Sequence, residues 1–589
     1  MRPVFERKAE SDFEGAWRQR CLLVLSTAIM VCGLSIANST TSPACRCMPQ
    51  DPCWPGHHTW TRFNNTVDGK LIATVPIASV CHIDSFTLYD QSQCAQLQSN
   101  WGFAVTHYKN PSSIMAPIFT NLSCNPFSSK DSPCTIGNYV QYAVNATDAT
   151  HVQKTIHFAA RHNIRLVIRN TGHDLLGKST GAGGLAIWMH YMKDISIVDY
   201  DSSQYSGKAI KVGAGVQSFE GSDVAYKAGL VIVGGSFTTI GLAGGYSQGG
   251  GHGQLTSRVG LAADQVLEWE VVLANGDLVI ASPSDYPDLY WALSGGGGGT
   301  YGVVVSMTSK AYPELPTASG NLSFSDTGVS RDTFFEAVEV FISILPSIGD
   351  AGGASVWWLT NTTLATTPTT IPGGTATLFS SFFGPLIAFL EQNNIQHTFY
   401  VDDFPTYYNA FQMMNPPNNI TDQLPGGRLI PRSVVEQNLA NLTIKFRNIV
   451  ERNAGFLISG IMVNSSRVAY PDNSVNPTWQ RALMDVVIGG AFNYVDWDSN
   501  IARQQLITDV LMPPLEELTP ESSAYLNEAD PNQRGWQQAF YRDNYDNLLE
   551  IKRKYDPDNR FYAYKAVGSE TWTATENGRL CKSQSYQRG

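Results

Sequence analysis

The stretch from Ile164 to Gly181 carries residues for two different chemistries. From Gly172 the letters fit G-x-x-x-x-G-K-[ST], with Gly172, Gly177, Lys178 and Ser179 spaced as in a phosphate loop. The same stretch holds Arg169-Asn170-Thr171-Gly172-His173, where an apolar run ends in a glycine-bearing turn that presents one imidazole. The first set would cradle a nucleoside triphosphate. The second would tether a cofactor through histidine.

The surrounding elements separate the two. A phosphate loop needs a helix starting at its Lys-Ser step, because that helix's amides and dipole hold the phosphates. Here Thr180 is followed by Gly181-Ala182-Gly183-Gly184, a very poor helix start. Asp174 would put a carboxylate inside the anion cradle. The pattern instead predicts a helix over 149–163 leading into a strand at Ile164–Ile168. A strand at Ala209–Val212, a helix at Phe219–Ala228 closed by Gly229, and a hairpin over 266–281 with a type I′ Asn275-Gly276 turn follow. Further helices are expected near 332–345, 434–452 and 536–555. The texture is α+β.

Glycine is concentrated at Gly234-Gly235, through Gly241–Gly253, and at Gly295–Gly299 before Thr300-Tyr301-Gly302. Ordering so many glycines costs entropy, and backbone amides nesting around a pyrophosphate would explain it. Gly297-x-Gly299-x-x-Gly302 fits the dinucleotide fingerprint. However, Tyr290–Leu293 makes a poor first strand, and no acid lies at the required distance.

Arg169–His173, Gly241–Gly253 with Leu261–Asp264, Trp291 with Gly295–Gly302, and Tyr525-Leu526-Asn527 with Asp556–Asn559 together resemble the berberine-bridge-enzyme-like oxidoreductases. These are vanillyl-alcohol-oxidase-type flavoproteins, and the likeness spans about 134–568, closest to the fungal branch. The resemblance implies an α+β fold: a two-part PCMH-type FAD-binding domain, residues 133–315 completed by 521–568. It also implies an α/β substrate domain, 316–520, whose antiparallel sheet roofs the flavin. His173 corresponds to the family's covalent flavin attachment. Arg169, Asn170, Thr171 and Gly172 would line the pyrophosphate and ribityl chain, with Gly241, Gly244 and Gly245 approaching through their backbone. Asn527 would touch the flavin and Tyr525 would be the catalytic base, while His252 reads as packing. Phe237 stands where many members carry a second flavin-linking cysteine, so a single attachment is expected. The implied activity is FAD-dependent oxidation of a small organic substrate with O2 as acceptor, plausible in secondary metabolism. A dehydrogenase with another acceptor, or a silent glycoprotein of the same fold, are the alternatives.

Compartment supports this choice. Residues 21–37 are almost wholly apolar and follow Arg18 and Arg20. They read as a signal peptide or an uncleaved anchor, with Ser35-Ile36-Ala37 favouring cleavage. Only an uncleaved segment would bring a membrane partner. Glycosylation sequons begin at Asn38, Asn64, Asn121, Asn145, Asn321, Asn361, Asn419, Asn441 and Asn464. Of the 10 cysteines, those of the 38–132 extension and its border (Cys45, Cys47, Cys53, Cys81, Cys94, Cys124 and Cys134) crowd together, and Cys581 lies in the 569–589 tail. A zinc site from Cys45, Cys47, Cys53, His57 and His58 is the lesser reading, and disulfides the better one. The net charge of −11 argues against a nucleic-acid partner. Aromatics at Trp357, Trp358, Phe382, Phe383, Tyr407 and Tyr408 are candidates for the substrate region.

Overall fold

The computed structural model describes residues 45–583, apart from 84, 416–422, 453–454 and 469–470. The apolar run 21–37 and the sequons Asn38 and Asn419 lie outside the described residues, among which no helix is long and apolar enough to cross a membrane. Of the other sequons, Asn121, Asn361 and Asn441 are exposed. Asn464 is not: it is buried, with its amide donating to Asp350, so a glycan there is incompatible with this packing.

The helix Ala149–Arg161 starts at Asp148, whose carboxylate accepts from the Thr150 and His151 amides. It buries Val152, Thr155, Ile156 and Ala159, which recur at helical spacing. The strand Leu166–Arg169 follows and pairs in parallel with Leu185–Trp188, which pairs in parallel with Tyr142–Asn145. Every residue of Leu185–Trp188 is buried, as expected for a parallel strand covered on both faces. A five-stranded antiparallel sheet runs in the order Ile195–Asp201, Ser206–Gly213, Val303–Lys310, Val266–Val272, Leu278–Ala281. Gly229, at φ +72°, ends the helix Ser218–Lys227 as expected.

A seven-stranded antiparallel sheet follows the order His397–Phe404, Thr317–Ser325, Thr363–Pro372, Ala354–Leu359, Phe456–Val463, Ala482–Ala491, Gln423–Pro431. One face packs on the helices Arg331–Asp350, Ala376–Gln392 and Leu439–Arg452 through Phe334, Phe341, Phe379, Phe383, Phe446 and Trp357. Alternation then sends Val356, Trp358, Leu457, Ser459, Ile461 and Val487 to the other face.

Four disulfides join Cys45 to Cys581, Cys47 to Cys53, Cys81 to Cys94 and Cys124 to Cys134. The first ties the two ends of the described chain together, and the cysteines of the imagined zinc site are all used.

Three local expectations are corrected. The 266–281 hairpin is not type I′, because only Gly276 is left-handed. Asn275 instead accepts from the Asp277 amide, and the loop closes as a longer turn with a glycine bulge. The 536–555 helix breaks into Trp536–Tyr541 and Tyr545–Tyr555 because Arg542 sits at φ +52°. The 434–452 helix is two pieces, Arg432–Gln437 and Leu439–Arg452.

The C-terminal segment is fixed by one buried ion pair. Lys552 Nζ lies 2.6 Å from Asp556 Oδ2 and also donates to the carbonyls of Thr300 and Phe561. Asp556 accepts from the Arg560 and Phe561 amides, which closes the Asp-Pro-Asp-Asn turn. Removing one partner would strand a buried ammonium, so Asp556→Ala is expected to cost about 3–5 kcal/mol. An unchanged denaturation midpoint would show the pair to be dispensable.

Candidate active site

His173 stands just beyond the strand Leu166–Arg169, and the turn that carries it is braced from beneath. Gly172 adopts φ +81°, and a Cβ there would meet the Arg169 guanidinium nitrogens at 2.9 Å. Arg169 itself is fully buried and donates to the His107 and Asn110 carbonyls of the N-terminal extension. Burial lowers it to about 9, with Asp174 and Tyr139 opposing, so it remains cationic. Its side chain therefore supports the turn from the protein side, where sequence reasoning had it lining the cofactor. Asn170, Thr171, Gly172 and His173 do border the cavity.

The His173 Nε2 is 2.5 Å from Thr239 Oγ1, and its ring lies 6.0 Å from that of Phe237. Burial, with His107 nearby, lowers it to about 3, so the imidazole is neutral. The phosphate-loop reading fails on geometry. Asp174 accepts from the Leu176 and Ser179 amides, so the loop's own carboxylate uses the donors an anion would need. No helix follows Ser179. The Gly297–Gly302 fingerprint fails as well. The helix Pro287–Leu293 precedes it and the strand Val303–Lys310 follows, which reverses the dinucleotide order.

Two glycines of the 241–253 run are demanded by Asn170. Its amide donates to the Ala214 carbonyl at 2.6 Å, and a Cβ on Gly241 or Gly244 would strike it at 2.6 or 2.7 Å. Gly245 faces open space, while Gly298 approaches its backbone so closely that a Cβ would meet the Gly245 Cα at 2.8 Å. The buried Asn170 Oδ1 and Gln248 Oε1 have no protein partner.

The C-terminal segment closes the site. Asn527 donates to the Gly245 carbonyl (2.9 Å) and to Tyr525 Oη (2.7 Å). Tyr525 Oη also accepts from the Gly251 amide at 3.1 Å. Burial and the Glu528 carboxylate hold the Tyr525 phenol well above its ordinary range. His252, read from sequence as packing, has its Nε2 2.9 Å from Glu528 Oε1 and borders the same cavity. Burial is the largest influence and lowers its proton affinity, but the Glu528 charge and hydrogen bond together with Asp485 outweigh it, and the net shift is upward.

Sequence reasoning missed Glu528, although it directly follows the Tyr-x-Asn motif. It also missed Asp485, the single carboxylate in the apolar strand Ala482–Ala491, a signal the sequence does display. Of the proposed substrate aromatics, only Trp357 and Trp358 border the cavity. Phe383 stacks on Phe379 in the core, and Tyr408 on Tyr226.

These walls enclose a cavity of about 620 Å³. The glycine turns, the orphaned amide oxygens and the neutral histidine form one end, and the face of the seven-stranded sheet forms the other. Close backbone approach at the glycine turns and unpartnered amide oxygens fit a flavin dinucleotide.

Comparison with known proteins agrees. Residues 140–282 match the FAD binding domain and residues 524–568 match berberine and berberine-like proteins. The FAD-linked oxidoreductase sor8 of Hypocrea jecorina is 46% identical over 93% of this chain and 95% of its own. The VAO-type flavoprotein oxidase VAO615 of Thermothelomyces thermophilus is 40% identical over 96% and 99%. A crystal structure of the VAO-type flavoprotein MtVAO615 of Myceliophthora thermophila superposes with a TM-score of 0.88 at 39% identity, over 92% of this chain and 100% of that one. The chain belongs to the berberine-bridge-like, vanillyl-alcohol-oxidase-type FAD-linked oxidoreductases.

Proposed function

We propose that this enzyme is an exported oxidase of a small, neutral organic substrate, serving secondary-metabolite synthesis, with FAD attached covalently through His173 alone. The observation that carries this reading is the neutral His173 imidazole at the wall of a glycine-lined cavity, since a neutral ring nitrogen is the nucleophile such a bond requires. Phe237 offers no second thiol. Asn170, Thr171 and the backbone of Gly172, Gly241, Gly244 and Gly245 would hold the cofactor, with Asn527 fixing the Gly245 carbonyl beside it. Bound FAD supplies the two-electron oxidant, which O2 regenerates; the 40% identical relative is itself a flavoprotein oxidase. The disulfides favour an oxidising compartment, in line with export.

The sheet contributes Val356, Trp358, Leu457, Ser459, Ile461 and Val487 to the cavity, and no charged side chain. A neutral, largely apolar substrate fits such a wall, because an ion against this sheet face would lose its hydration without gaining a partner there; the charged side chains of the lining, Asp174, Lys178 and Glu528, lie on other elements. Tyr525 acts here as a neutral donor. Its oxygen already accepts two N–H bonds, and its raised ionisation keeps the proton on the phenol, where it can meet a substrate oxygen. The base role expected from the sequence motif is therefore disfavoured at neutral pH.

Acid precipitation of the purified protein tests the attachment. The wild-type pellet is expected to stay yellow, and His173→Ala to release its colour or bind none. Colour left in solution by the wild type overturns the covalent reading, and a cysteinyl flavopeptide overturns the single link. Hydrogen peroxide release during turnover checks the acceptor.

Tyr525→Phe is expected to keep its flavin and lose roughly tenfold in kcat/KM, the worth of one hydrogen bond. A loss of about 10²–10⁴-fold, with the pH profile displaced, would restore the phenol as base.

A further inference from the structure

Behind the Tyr525 wall lie three ionisable side chains from three separate parts of the chain. His252 comes from the glycine-rich segment, Asp485 from the strand Ala482–Ala491, and Glu528 from the C-terminal segment. One ligand-capable atom of each lies within 4.8 Å of the others. Asp485 is completely buried in the middle of the seven-stranded sheet, its backbone paired with Leu429 and Ile461. It shares the cavity face with Val487, and neither carboxyl oxygen has a hydrogen-bond partner. The buried Nδ1 of His252 is also unpartnered, whereas its Nε2 meets Glu528. Glu528 is 25% exposed and borders the cavity, so the cluster reaches a substrate through this carboxylate. The other titratable groups facing the cluster are Tyr525 and Tyr246, and both phenols are raised by burial.

We propose that Glu528 is the catalytic base of this flavoenzyme, with His252 and Asp485 as positioning residues behind it. The inference rests on the FAD-oxidase reading above. Burial and the neighbouring Glu528 charge push the Asp485 proton affinity well up, with His252 and the Val486 amide opposing. Asp485 therefore stays neutral, and His252 and Glu528 make the working pair. His252 donates to Glu528 Oε1, which orients that carboxylate where it borders the cavity.

For a hydroxyl-bearing substrate the step balances as follows. The O–H bond breaks and its proton goes to a Glu528 carboxylate oxygen. The hydrogen on the adjacent carbon leaves with its electron pair to the flavin oxidant, and the carbon–oxygen bond becomes a carbonyl. Tyr525, donating to the same oxygen, orients the hydroxyl.

The test needs no substrate. The yellow holoenzyme is reduced with dithionite across a pH series, and the slope of the flavin midpoint potential against pH counts the protons taken up per electron pair. Wild type is expected to take up one proton more than Glu528→Gln, with Glu528→Asp restoring it. Asp485→Asn is expected to keep the extra proton but move the pH at which it is taken up. Tyr525→Phe keeps the wild-type slope. Equal slopes in wild type and Glu528→Gln overturn the proposal, as does loss of the extra proton in Tyr525→Phe instead. One divalent metal ion per chain, lost in Glu528→Gln, would make the cluster a metal site and overturn it as well. A colourless protein would defeat the flavin reading and this inference together; a yellow one with unmoved slopes defeats this inference alone.

Discussion

The placement of the Arg169 guanidinium under Gly172 is the contact on which the site depends. A buried cation is costly, and this one is held by two carbonyls of the N-terminal extension and by the nearby charge of Asp174. In return it occupies the volume a side chain at position 172 would need, and the chain turns into the left-handed region there. That turn aims His173 at the cavity. The disulfide-rich extension is thus structural support for the turn that carries His173, because it supplies the carbonyl acceptors of the buried Arg169.

The same device recurs across the cavity. Asn170 wedges under Gly241 and Gly244, Asn527 under Gly249, and the Gly245 and Gly298 backbones nearly touch. Each glycine run is pinned by a side chain from a distant segment, so its entropy is lost once, on folding, and not again on binding the cofactor. The final clamp is the Lys552–Asp556 pair, which links the Thr300 carbonyl beside the third glycine run to the C-terminal turn. Three segments far apart in sequence meet at one closely packed surface.

Much of this was legible in the sequence where the signal was local. The helix before His173, the glycine runs and the crowded cysteines carry short-range patterns, and the ordered set of motifs pointed to the family. What the letters could not show was direction. Arg169 sits among cofactor-lining residues, yet alternation along the strand sends its side chain to the opposite side. The Asn275-Gly276 pair implied two left-handed residues, but Asn275 bonded to the Asp277 amide and only Gly276 turned. The long C-terminal helix kept its period through a break at Arg542 that no residue type announced. His252 lies more than two hundred positions from Asp485 and Glu528, so their meeting belongs to tertiary structure alone.

Two histidines border the cavity, and their difference shows how neighbours assign chemistry. Both His173 and His252 are buried, and burial alone disfavours the charged ring in each. At His173 the nearby His107 adds to that effect, and the ring is lowered to about 3. At His252 the Glu528 carboxylate reverses it, and the ring gains proton affinity. A neutral ring has a lone pair to offer, whereas a ring beside a carboxylate holds its proton more readily. The proton affinity of a histidine in this cavity is therefore set by the second charge beside it, which residue type and motif position do not display.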